Sequence, residues 1–471
     1  MRYIRTPRRN NGGLRVARWQ RGMPPHLPSM LTRQSNRNFK YLVPGFDSTL
    51  TSLRVGLTTF VSSGKTTISS YTAVPSMAAK KLKNSYVTLI GDREAALAPS
   101  SVFLDRLSKL PKGQDEVDII LNGSHKHLFN SRLTDGIVKI LCDAIIDSGV
   151  AIGVLDLGTN GLGDTAAAEL AKLFETGATP VREIHLQGNA FGPSACKVLC
   201  EAFGNPQGAK PEVLNLNGNP IGEDGGVAVS RILGEGCNLR TLNLGNTEMG
   251  TRAIIAVAKM MWYNNSIHVL NLENPRMFDL QESTTFHIAK MIRTNGTLQQ
   301  LYLGKHKMRD DGAASIAQYM EDNTNIKILD LRANEISIAG AEALAILLMK
   351  GACGLSALNL AGNKIQDQGA HALGVALRTC RTLVDLDVRN NSIGNSGLLA
   401  IADAMNQNTA IQRLQVFGNK FEEAAADAFS ELVTNRFSYF QVECDVRPYI
   451  VDGVSMVAKE NLPEDMVKVV Y

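Results

Sequence analysis

The sequence predicts an α/β solenoid: a curved stack with short parallel strands on the concave side and helices on the convex side. Two observations and one geometric argument predict it. The phrase L-x-L-x-x-N, or a near copy, occurs ten times, starting at Leu155, Ile184, Leu214, Leu242, Leu270, Leu301, Leu329, Leu358, Leu386 and Leu414, in steps of 28 to 31 residues. Each phrase leads into a stretch whose apolar residues recur at three and four, as in DTAAAELAKLF (164–174), GAEALAILLM (340–349) and GLLAIADAM (397–405). That spacing makes one buried helical face. Helices need more lateral room than strands, so a stack of such units must curve with the strands inside.

The elements follow in order. Residues 1–112 carry 19 Lys/Arg against four acidic residues, and the remaining 359 then hold a net charge of −11. This basic arm is rich in Ser, Thr and Pro. It is expected to be largely disordered, up to about residue 90, because it buries too little to offset ordering entropy. A short helix near 101–110, stopped by Pro111, is expected to dock on the array. Residues 113–150 read as a degenerate first repeat, with Ile119 and Leu121 in its strand and 133–146 as its helix. The repeat body then runs to residue 445. A period near 28 residues with this phrase marks leucine-rich repeats. Seven copies keep the Asn, as Asn160, Asn189, Asn219, Asn334, Asn363, Asn391 and Asn419. Its amide can bond backbone groups of the turn that would otherwise go unpaired. A last strand is expected at Phe440–Val442, with Asp445 in the Asn place. Residues 446–471 are expected to form a C-terminal hairpin cap. Its Asp452-Gly453 suits a type I′ hairpin turn, which would cover the open edge of the sheet.

The composition narrows the chemistry. No run of 18 apolar residues occurs, so no membrane span is expected. The seven cysteines are scattered without a C-x-x-C pair or a secretory signal, which fits buried free thiols in a reducing, intracellular setting, cytoplasmic or nuclear. Organellar targeting through the Arg-rich start is a further reading. FVSSGKTT (60–67) lacks the first glycine of a phosphate-binding loop, where Thr59 stands. His125 and His127 have no further ligands at metal spacing. The G-x-S-x-G and H-E-x-x-H phrases are absent. No catalytic residue, cofactor or metal is therefore expected, and the chain reads as a non-enzyme.

The candidate sites lie on the concave face. The residue between the two leucines is usually Asp or Asn, as the repeat itself supplies. The aromatic and arginine positions differ from that background, and such residues dominate interface energetics. Tyr302, Arg332, Asp387, Arg389 and Phe417 are thus the expected partner-binding patch. The competing reading is that these charges only pair across neighbouring strands. A secondary rim site is expected from Met277, Phe278, Lys305, Lys307 and Met308, where Pro275 and His306 replace the repeat Asn.

The phrases LNLNGNPIGEDGG (214–226), LDLRANEISIAGA (329–341), LNLAGNKIQDQGA (358–370) and LDVRNNSIGNSG (386–397) resemble the ribonuclease-inhibitor-like class of leucine-rich-repeat proteins, over about residues 130–445. The tail YIVDGVSMVAK resembles the ending of one branch of such proteins. The resemblance implies a protein-interaction scaffold, nuclear or ciliary, with no catalytic activity to carry over. Ran GTPase-activating proteins share the fold, but the tail ENLPEDMVKVVY lacks their long acidic ending. The expected function is a monomeric scaffold that holds a protein partner on its concave face. The alternatives are an RNA-associated factor that contacts nucleic acid through residues 1–90, and a GTPase-activating protein of the Ran type.

Overall fold

The structure, a computed structural model, describes residues 76–95, 98–109, 115–129, 131–177, 179–234, 236–277, 282–351 and 354–462. The arm up to residue 75, the FVSSGKTT phrase, Phe278, Cys353 and residues 463–471 lie outside the described residues.

The chain enters through α1 (Met77–Ala95) and α2 (Ala98–Lys109), then strands and helices alternate. The first turns are β1 (Glu116–Ile120), α3 (Asp135–Ser148), β2 (Ala151–Asp156), α4 (Asp164–Glu175), β3 (Val181–His185) and α5 (Pro193–Gly204). Next come β4 (Val213–Asn215), α6 (Gly222–Arg231), β5 (Thr241–Asn243), α7 (Thr251–Met261), β6 (Val269–Asn271) and α8 (Glu282–Thr294). They are followed by β7 (Gln300–Tyr302), α9 (Arg309–Met320), β8 (Ile328–Asp330), α10 (Ile338–Lys350), β9 (Ala357–Asn359) and α11 (Gln366–Thr379). The array ends with β10 (Asp385–Asp387), α12 (Asn395–Met405), β11 (Arg413–Gln415), α13 (Glu423–Glu431), a π-helical turn (Leu432–Phe437), α14 (Ser438–Phe440) and β12 (Glu443–Cys444). A hairpin of β13 (Val446–Val451) and β14 (Val454–Lys459) closes it.

Strands β1 to β12 form one parallel sheet in sequence order, and first leucine pairs with first leucine, as in Leu214↔Leu242 and Leu358↔Leu386. This is the α/β leucine-rich-repeat solenoid expected from the repeat, with strands concave and helices convex. Both leucines of each phrase point inward and meet the buried helix face, for instance Leu386 and Val388 against Leu398 and Ile401.

The Asn of each regular repeat ties two turns together. Asn363 Nδ2 donates to Leu360 O of its own turn (2.8 Å) and to Leu331 O of the preceding one (3.0 Å). Its Oδ1 accepts from Asn334 N (2.8 Å) and Ile336 N (3.0 Å). Where the Asn is missing, neighbours take over. An Asn at the Pro275 position would hold the carbonyls of Leu272 and Leu244. His306 Nε2 donates to Leu272 O (2.8 Å), and Thr247 Oγ1 to Leu244 O (2.6 Å).

His306 is fully buried, and burial pushes its imidazole down to about 4. A histidine depressed below its unfolded value of 6.5 contributes stability that is complete above pH 6.5 and is lost as pH falls through about 4. His306→Asn should keep the bond to Leu272 and remove that acid limb. His306→Ala should cost about 1–3 kcal/mol at pH 7 by leaving the carbonyl unpaired. Urea melts at pH 7 and pH 5 check both, and an alanine variant as stable as the parent would contradict the role.

A second asparagine row runs along the helix-to-strand corners, six residues before the first leucine. Asn264, Asn295, Asn323 and Asn408 each donate Nδ2 to carbonyls of the preceding turn, as in Asn408 to Cys380 O (3.1 Å). Their Oδ1 atoms accept from backbone amides two and three residues on, as Ala410 N and Ile411 N. Helix starts are capped across repeats too: Asp310 receives Ser337 N and Gly340 N, and Asp367 receives Gly394 N and Gly397 N. Cys142, Cys196, Cys200, Cys380 and Cys444 are buried free thiols and Cys237 is half-buried. Burial pushes the Cys444 thiol up to about 12.

The two ends differ from expectation. Residues 77–95 and 98–109 are helical where the sequence predicts little order before 101. Ala79, Leu82, Tyr86 and Ile90 of α1 are buried, the Tyr86 and Phe103 rings meet edge-on at 4.8 Å, and Ser85 Oγ donates to Asp147 of α3 (2.7 Å). These helices cap the first repeat. At the other end the helical segment runs on to Phe440, so the last strand is Glu443–Cys444 rather than 440–442. Cys444 pairs with Leu414, which places Asp445 beside Gln415 rather than in the Asn position. The hairpin turns at Asp452 (φ 51°) and Gly453 (φ 83°). It forms its own two-stranded sheet and packs on α13 instead of lengthening the edge of β12.

Candidate concave-face site

The site is built on a row of Asp and Asn side chains between the inward leucines. Each carboxyl or amide oxygen accepts the backbone N–H two residues on. The row comprises Asp156 (from Gly158, 2.9 Å), Asn215 (3.1 Å), Asn243 (3.1 Å), Asn271 (2.8 Å), Asp330 (from Arg332, 2.9 Å), Asn359 (3.0 Å) and Asp387 (from Arg389, 3.0 Å). That bond locks the side chain and turns its second polar atom along the face. Strands lie about 4.8 Å apart, so each of these side chains is closed in by those of both neighbouring strands. Asn215 is 2% exposed and Asp387 4%.

This crowding revises the expected patch. Tyr302 is only 3% exposed, flanked in register by Asn271 and Asp330, and its hydroxyl donates to Gln300 Oε1 (3.0 Å). Tyr302 and Asp387 are therefore buried supports rather than surface anchors. Arg332, Arg389 and Phe417 stand one pleat further on and remain half-exposed.

The arginines are held by the row beneath them. Arg389 grips Asp387 in a fork, Nε to Oδ1 at 3.0 Å and Nη2 to Oδ2 at 2.6 Å. Arg332 lies across Gly304, where a Cβ would meet its Cγ at 3.0 Å, and reaches Glu273 two strands away as well as Asp330 (3.5 Å). Lys305 joins Glu273 from the side (3.4 Å). Beyond them Arg413, 1% exposed, pairs with Glu443 (2.7 Å) and ties β12 to β11. Asp445 accepts from Val416 N (2.7 Å) and Phe417 N (3.2 Å), which fixes the backbone that presents Phe417.

The electrostatics follow from burial. Burial pushes the Asp330 carboxyl up to about 6 despite Arg332 beside it. Burial also raises Asp445, against the backbone amides it accepts from and against Arg389. Among the described residues no group of three His, Cys, Asp or Glu could hold a metal ion. No helix among them is long and apolar enough to cross a membrane.

The rim site does not assemble as expected. Met308 is buried at the start of α9, against the position of Gly312. Lys305 is engaged by Glu273, and Lys307 is exposed. Met277 is half-buried, and Phe278 lies outside the described residues. The hub that residue type alone does not single out is Glu273. Its signal in the sequence is a glycine, Gly304, standing between an acid and an arginine in the same repeat position.

The Leucine Rich repeat family profile matches residues 212–230, 322–345, 354–374 and 379–402. Leucine-rich repeat-containing protein 34 of Rattus norvegicus is 29% identical over 179 residues, 38% of this chain and 43% of that protein. Ribonuclease inhibitor of Sus scrofa is 24% identical over 323 residues, 68% of this chain and 57% of that protein. The matches thus span about half the length of these curated relatives. A chain from the crystal structure of the Rad7 and Elc1 complex in yeast overlays with a TM-score of 0.41 at 16% identity, covering 74% of this chain and 90% of that one.

Proposed function

From a chain built of ribonuclease-inhibitor-like leucine-rich repeats, whose arrays generally serve as protein-binding scaffolds, we propose a scaffold that holds a protein partner on the concave face over β8 to β11. Arg332, Arg389 and Phe417 make the contact, and Asp330, Asp387, Glu273 and Tyr302 support them from below.

One observation carries this reading. Arg389 is pinned by Asp387 and Arg332 by Asp330, each carboxylate locked to the backbone two residues on, and Arg332 is held by Glu273 as well. Arginines held in this way lose little side-chain freedom on binding, which favours affinity.

The test is capture of a partner from native lysate after nuclease treatment, with the full chain as bait. Arg389→Ala and Phe417→Ala together should weaken the captured complex by about a hundredfold or more, as loss of two central anchors does. Ile346→Ala, on the exposed face of α10, should leave it unchanged. Equal capture by the double variant would reject the patch.

A further inference from the structure

We propose that the outer face of α6 to α8 is a second interaction surface, one that docks an acidic polypeptide segment carrying apolar side chains. Arg231, Lys259 and Lys290 stand at the same repeat position, eleven residues before Leu242, Leu270 and Leu301. They lie on three consecutive helices that pack side by side, at about 8–10 Å spacing. On α9, α11 and α12 that position holds Gln318, Val375 and Asp403, so the cationic stripe is local. None of the three cations pairs with a carboxylate among the described residues.

Aromatic side chains flank the stripe. Lys290 Nζ lies 4.2 Å above the Trp262 ring, a cation–π contact. Trp262 is stacked near-parallel with His287 at 6.0 Å, and its Nε1 donates to the His287 carbonyl (3.4 Å). Phe286 meets His287 edge-on at 5.5 Å and is 50% exposed, and Tyr263 is 82% exposed. Of the large apolar side chains on α5, α10 and α11, only aliphatic ones are exposed: Val198, Ile346 with Met349, and Val375. Exposed aromatic rings beside uncompensated cations are the composition of a binding hot spot.

Charge complementarity identifies the occupant. Uncompensated cations select an acidic segment. The exposed rings of Tyr263 and Phe286 take apolar side chains. Nucleic acid fits less well, because stacking a base on the indole would displace Lys290.

Trp262 reports the event directly. Trp19 and Trp262 are the two tryptophans, so a W19F chain leaves one reporter at the site. The full-length W19F protein is titrated with a capped octapeptide of alternating Glu and Leu, the Lys and Leu counterpart, and a thymidine oligonucleotide. The Glu/Leu peptide should shift Trp262 emission, with affinity falling about fivefold or more as salt is raised or with Arg231→Ala and Lys259→Ala. Arg231→Glu with Lys259→Glu should reverse the preference toward the Lys/Leu peptide, an outcome that no unfolded variant would give. No response to the Glu/Leu peptide, equal response to both peptides, or tighter binding of the oligonucleotide would each overturn the proposal.

Discussion

Alanine at Asn363 should lower the stability of the solenoid by about 4 kcal/mol, since four backbone groups would lose their partner in a buried site. Asn363 is 4% exposed and bonds two carbonyls and two amides in two successive turns. Removing it leaves those groups buried and unpaired, which costs more than the net worth of the bonds. In a stack where each repeat contacts only its neighbours, such a loss opens the array locally before it spreads. Hydrogen exchange should therefore rise first in β8 and β9. The breaks at Thr247 and Pro275 set the contrast, because Thr247 and His306 already bond the carbonyls left by the missing Asn. A urea melt of Asn363→Ala within about 1 kcal/mol of the parent would mean that the ladder is not what joins the turns.

Arg332→Met should cost about 3 kcal/mol at pH 7 and clearly less at pH 5, because it leaves buried carboxylates without their cation. Glu273 would retain Lys305, and Asp330 only its backbone N–H donor. The pH dependence follows from the Asp330 carboxyl, raised from 3.8 to about 6 in the folded chain. A carboxyl raised on folding contributes stability that is full below its unfolded value and is lost as pH rises through the folded one. Without Arg332 the carboxyl rises further, so acidification recovers more of the variant's stability than of the parent's. The same loss at both pH values would assign the effect to the arginine stem packed over Gly304 instead of to its charge. His306 acts with the opposite sign below pH 6.5, so the measurement is cleanest in a His306→Asn background.

The fold was legible because the leucine phrase and the helix period agree over ten turns. The first strand and helix could be placed from Ile119 and from 133–146, since they follow the same period. Helix α1 is not legible in the sequence. Its buried Ala79, Leu82, Tyr86 and Ile90 do stand at three and four, but Lys80, Lys81 and Lys83 between them, and the exposed Val87 and Leu89, blur the face. The last strand was misplaced by four residues, one helical turn, because the helical segment after α13 continues through a π turn that no local signal announces. The corner asparagines stand at a fixed distance from the first leucine, although Ala352 and Cys380 interrupt the row.

Less of the site was legible. Strict alternation along a strand puts Tyr302 and Asp387 on an open face. It does not convey that parallel strands on the inside of a curve enclose the middle side chain of each. Pairing across neighbouring strands is the competing role the sequence offers these charges; Arg389 instead pairs with Asp387 of its own repeat, and Arg332 reaches Glu273 two strands away. Pairing and binding are compatible here, because the same carboxylates that neutralise the arginines also aim them.

The most direct test of the concave-face scaffold is site-specific photocrosslinking in native lysate. Phe417→p-benzoylphenylalanine puts the probe on the concave face, and Ile346→p-benzoylphenylalanine puts it on α10. A discrete partner crosslinked from position 417 and not from 346, and lost with Arg389→Ala, is the expected result. A partner crosslinked from 346 with position 417 silent would contradict the placement.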